Sequence, residues 1–183
     1  MEKDGDKNEH LTNKQKKNLA EIEKYAQMAR LHSIEGAIIV ERIISNILLN
    51  YLSNEKSKES LEKYLFYDTL SFDQKINLFN SLNKAGAFND DGYNKELNSD
   101  LVKIKNIRNF MAHSMLHTSF DILENFNGIE IKFKSYTSRN MISDITFRIY
   151  NNEDDVDNLI FSINGVILRY KRVFSWLNKF PIK

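Results

Sequence analysis

Helix breakers are almost absent from this 183-residue chain, which has one proline, Pro181, and six glycines. Proline removes a backbone donor and clashes with the preceding turn, while glycine carries the largest backbone entropy. Their scarcity predicts long helices and few tight turns. The length fits one ordinary domain whose core needs no covalent staple. The chain has no cysteine, which excludes disulfides, thiolate metal sites and cysteine nucleophiles. The net charge is +1, from 26 basic and 25 acidic residues. That balance rules out a broad basic footprint, so any contact with nucleic acid has to be local. No run approaches the roughly 20 apolar residues that span a bilayer. The N-terminal MEKDGDKNEH is charged and lacks a signal-peptide core. A cytoplasmic protein with no membrane partner is expected.

Periodicity divides the rest. Residues 1–12 read as a flexible polar tail, and 13–183 as a single domain. A helix is predicted from about Asn13 to Ala29, with Leu19, Ile22, Ala26 and Ala29 on one side. A break near His32-Ser33 is expected, with Ser33 capping a second helix over Ile34 to Leu52. A short helix around Leu61 to Tyr67 follows. Ser71 with Gln74 three residues on predicts a capping box, and Gly86 sits where that helix should stop. The next helix is expected from about Lys95 to Leu116. Then the period changes to two. GIEIKFKS and DITFRIYN alternate apolar and polar residues around a polar linker, which predicts a β-hairpin over about 128–151. A last helix is expected over about 153–179. The fold class so predicted is all-α, a helical bundle with one small β-hairpin before the C-terminal helix.

The helix over 95–116 carries the chemistry. Leu97, Leu101, Ile104, Arg108, Met111 and Met115 recur in steps of three and four, and Arg108 is the only charge in that seam. A guanidinium there is costly unless it meets an acceptor or an interface. Glu35 or Glu41 are candidate partners in a buried pair. Val102, Asn106, Asn109, His113 and His117 form a neighbouring seam, in which Asn109 and His113 stand one turn apart. His113 and His117 have the i, i+4 spacing of zinc ligands, but position 114 is serine and no third ligand is evident. No metal and no cofactor are expected. Lys132, Lys134, Arg139 and Arg148, interleaved with Phe133, Tyr136, Phe147 and Tyr150, read as the solvated face of the hairpin with its aromatics packed inward.

The stretch IRNFMAHS, with Ile104, Lys105 and Ile107 at its start, resembles the motif of the HEPN superfamily: arginine, a polar residue, a few further residues, then histidine. LSFDQKINLF before it, and an Ile-rich helix with an early glutamate at Glu35, are similar to the branch around the mannitol-operon repressor. The resemblance covers about residues 30–120. It implies a HEPN-like helical domain and a metal-independent endoribonuclease that cleaves RNA by 2′-hydroxyl attack. It assigns Arg108, Asn109 and His113 to catalysis; Arg108, Asn109 and His117 are expected to bind substrate. It also implies a homodimer through the motif helix, an RNA substrate, and an antitoxin or regulatory protein as partner. Position 115 is methionine, where one toxin subgroup has tyrosine, so that subgroup's control by modification is not carried over. The branch also contains proposed regulators, which makes a non-catalytic interaction protein the alternative.

Overall fold

A computed structural model describes residues 10–66, 69–88, 94–136, 142–149 and 160–180. The first nine residues of the expected tail, the hairpin turn, and Val156 and Leu159 of the expected last helix lie outside these. Among the described residues there are six helices: α1 (Asn13–Leu52), α2 (Lys58–Phe66), α3 (Phe72–Lys84), α4 (Lys95–His113), α5 (Phe120–Asn125) and α6 (Ile163–Leu177). A four-stranded sheet accompanies them, in the order β1 (Ser114–Leu116), β2 (Glu130–Tyr136), β3 (Ile142–Arg148), β4 (Ile160–Ser162). The chain is mostly helical, and its sheet is larger than the expected hairpin.

The residues cluster into two compact units. One comprises Met1–Leu31 and His113–Gly165, the other His32–Ala112 and Val166–Lys183. In the first, β1 pairs antiparallel with β2, β2 antiparallel with β3, and β3 parallel with β4. From Ile131 on, alternation works as the sequence predicts, whereas Ile129, expected on the same face, precedes β2 and is exposed. Ile131, Phe133, Ile145, Phe147 and Ile149 are buried, while Lys132, Lys134 and Arg148 stay partly exposed. Phe133, Phe147 and Phe161 form a ladder across three strands, with ring centroids 5.7 and 5.5 Å apart. Each of these rings is fully buried, a burial that stabilises by about 1.5–3 kcal/mol. Phe133 and Phe147 of the hairpin therefore belong to the core, while Tyr150 lies outside the described residues. Ile22, Ala26 and Ala29 of α1 and Leu123 of α5 are also buried in this unit.

In the helical unit, local capping sets the helix ends. The Ser71 hydroxyl accepts from the Gln74 amide at 3.3 Å, and the Gln74 side-chain oxygen accepts from the Ser71 amide at 2.8 Å. This is the capping box read from the sequence. Gly86, with φ 73°, follows the end of α3 in the left-handed region that glycine enters without strain. Asn94 caps α4 by accepting from the Glu96 and Leu97 amides at 2.9 and 3.0 Å. The core of this unit holds Val40, Ile44 and Leu48 of α1, Phe79 of α3, Leu101 and Ile104 of α4, and Val173 of α6.

Three expectations about element ends are corrected. No break occurs at His32-Ser33, because α1 is one helix of 40 residues. Ser33 is fully buried and the Tyr170 hydroxyl donates to its carbonyl at 2.8 Å, so tertiary burial overrides the serine's capping tendency. The motif helix stops at His113 and not near Leu116. Ser114, Met115 and Leu116 leave the helix to pair with Ser135, Lys134 and Phe133, and Arg30 donates to the Ser114 carbonyl at 2.8 Å. The last helix begins at Ile163 and not near Glu153, since Ile160–Ser162 pairs with β3. The Ser162 hydroxyl then accepts from the Gly165 amide at 2.8 Å, the N-cap of α6.

Candidate functional site

α4 presents the motif. Its apolar positions Leu97, Leu101, Ile104, Ile107 and Met111 are buried, and Arg108 is half-buried beside them. The guanidinium Nη1 donates to Asn109 Oδ1 at 3.1 Å. Asn109 thus steadies its sequence neighbour, leaving most of the guanidinium's five donors available. Asn109 and His113 are exposed, one turn apart near the C-terminus of α4. Met115, expected in the Arg108 seam, is 62% exposed on β1 instead.

The buried pair weighed for Arg108 does not form. Glu35 is exposed, and Glu41 accepts from Lys75 Nζ at 2.6 Å. Among the described residues Arg108 makes no ion pair. Its head lines a pocket of about 290 Å³ whose wall includes Ile38, Glu41 and Arg42 of α1, Phe66 of α2 and Lys75 of α3. Lys75 is 3% exposed on the inner face of α3, between Phe72 and Phe79. The pocket therefore collects three cations and one carboxylate. Arg42 and Lys75 are the residues that sequence reasoning missed. A signal for Lys75 was present, since it interrupts the apolar stripe of α3 as Arg108 interrupts that of α4.

His117 is corrected. It is not on the motif helix, because the chain becomes a strand after His113. Its amide donates to the Lys132 carbonyl at 3.0 Å. In the sheet-bearing unit it lines a separate pocket of about 180 Å³ with Asp121, Asn125, Glu130 and Lys132. Its Nδ1 is buried there without a hydrogen-bond partner. The i, i+4 relation to His113 is lost, and with it the geometry for a two-histidine helical metal site. Among the described residues no group of three or more histidine, cysteine or acidic side chains could hold a metal ion.

A second charged cluster lies in the helical unit. Asp100, 3% exposed on α4, accepts from Arg172 Nε and Nη2 at 2.6 and 2.8 Å and from Arg169 Nε at 3.4 Å. The hydrogen bond to Asp100 pushes the Arg172 guanidinium further above its ordinary range. With both partners on α6, this cluster ties α4 to α6. Among the described residues no helix is long and apolar enough to cross a membrane. Comparisons with models of protein families, with curated proteins and with solved structures find no match to this chain.

Proposed function

We propose that this chain is a HEPN-type ribonuclease that cleaves RNA without a metal, in the cytoplasm and in a toxin, defence or stress-response setting. The observation that carries the reading is Arg108: a guanidinium on an apolar helix face, in no ion pair among the described residues and lining a pocket. An exposed histidine follows a turn and a half later on the same helix. In the proposed reaction His113 takes the proton of a ribose 2′-hydroxyl. The 2′ oxygen bonds to phosphorus, the bond to the 5′ oxygen breaks, and that oxygen receives a proton. The products are a 2′,3′-cyclic phosphate and a 5′-hydroxyl. Arg108 grips the phosphate and offsets charge that builds in the transition state. A homodimer through α4 brings a second motif, whose histidine serves as the acid.

The test is incubation of mixed RNA in EDTA, with circular dichroism on every variant. Wild-type protein is expected to cleave. Arg108→Ala and His113→Ala are each expected to slow cleavage by about 10²-fold or more while staying folded. A second reading, a non-catalytic regulatory or interaction protein of the same superfamily, is favoured by the net charge of +1 and by Ile38, Ile39 and Val102, which are 50, 51 and 38% exposed in the helical unit. Folded wild-type protein that leaves varied RNAs intact gives the answer to that reading.

A further inference from the structure

We infer that the pocket lined by Arg42, Lys75 and Arg108 binds a phosphate group, carried either by an RNA backbone or by a free nucleotide. The cationic pocket is argued from its own side chains; only the choice of an RNA backbone as occupant rests on the ribonuclease reading.

Each cation comes from a different helix of one unit: Arg42 from α1, Lys75 from α3, Arg108 from α4. Glu41 cancels one charge through its 2.6 Å contact with Lys75. Arg42 and Arg108 have no carboxylate in ion-pair range among the described residues, so the pocket keeps a net charge of two. Two guanidinium groups facing one recess repel each other, more strongly where the walls exclude water. An entering phosphate, singly charged in a backbone diester and close to doubly charged in a free monophosphate, reverses the sign of that interaction. The planar fork of arginine matches the oxygens of a phosphate, which a simple cation hole does not require. Lys75 adds a donor that cannot swing away, since it is buried and anchored by Glu41; an ammonium has three N–H groups, and the carboxylate uses only part of them. Ile38 and Phe66 give the pocket an apolar wall suited to a sugar or base beside the phosphate. At about 290 Å³ the volume suits a nucleotide-sized group and not a large cofactor.

The test measures binding without turnover, using the full chain. A labelled 2′-O-methyl oligonucleotide, which has no free 2′-hydroxyl to attack, is titrated by fluorescence anisotropy. Adenosine monophosphate and inorganic phosphate are titrated calorimetrically in parallel. Arg42→Gln alters an exposed side chain and leaves the core intact. It is expected to weaken the phosphate-bearing probe about tenfold and to lower the salt slope by about 0.7. Lys171→Gln also removes a single positive charge, at an exposed position of α6. It serves as the control and is expected to leave binding unchanged. The paired change Glu41→Gln with Lys75→Met removes the buried ion pair without stranding either charge, and is expected to weaken binding with helicity retained. Arg42-dependent binding of the oligonucleotide identifies an RNA backbone as the source. Arg42-dependent binding of the monophosphate or phosphate alone identifies a free one. If no probe binds in a way that depends on Arg42, the inference is overturned. Cleavage of unmodified RNA is scored separately. Arg42-dependent binding without cleavage keeps the pocket and removes the nuclease, and cleavage with Arg42-independent binding does the reverse.

Discussion

Lys75, Asp100 and Arg108 all occupy inward or half-buried helix positions, and each is accommodated differently. Lys75 meets one carboxylate, Asp100 meets two guanidinium groups, and Arg108 meets a neutral amide beside a pocket. Asp100→Ala removes a buried carboxylate that faces Arg169, itself 8% exposed. The expected loss is about 3–5 kcal/mol, read from urea denaturation. Arg172→Ala should cost about 1 kcal/mol or less, since the Arg172 side chain is 53% exposed and solvent screens its pair. Tyr170 gives a pH prediction. Burial pushes its hydroxyl well above the ordinary tyrosine range, against a smaller opposing effect of Arg169. The folded state therefore holds a proton that the unfolded chain releases near pH ~10. This contribution is complete below that pH and declines as pH rises toward the elevated folded value. Denaturation midpoints of wild type should fall more steeply above pH ~10 than those of Tyr170→Phe.

At the scale of elements, the best-read features are those with purely local causes. The capping box of α3 and the alternation of β2 and β3 depend on residues within one turn or one pleat, and both appear as the sequence predicts. Element ends that depend on distant partners are not legible in the same way. Nothing near Ser114 announces that its backbone will pair with Ser135, and nothing near Ile160 announces Thr146. Helical periodicity continues through both sites, and strand pairing overrides it. Gly36 shows the same priority within α1. A Cβ there would lie 2.5 Å from the Tyr170 ring, and that ring is held by its hydrogen bond to the Ser33 carbonyl. Helix propensity alone favours alanine by about 1 kcal/mol. Gly36→Ala is nevertheless expected to destabilise, because overpacking costs about 1–3 kcal/mol. A chemical denaturation curve decides the sign.

For the whole molecule, near-neutral charge sets the form that any RNA binding takes. With two uncancelled cations at the pocket, the dependence of log K on log salt should have a slope of about −1.4 for a single strand. Anisotropy titrations across about 50–200 mM salt measure it. A slope several times steeper would mean that a broad basic face does the binding, contrary to the balance of 26 basic and 25 acidic residues.

Composition and periodicity by themselves determined that the chain is mostly helical, that residues 128–151 contribute strands, and that Arg108 stands out on its helix. These follow from backbone entropy, side-chain spacing and the cost of a charge on an apolar stripe, all of which act over a few residues. Only the tertiary structure decided that α1 runs unbroken, that His117 leaves the motif helix, and that Arg42 and Lys75 join Arg108 around one pocket. Those outcomes depend on residues tens of positions apart meeting in space, where burial and pairing outweigh local preference.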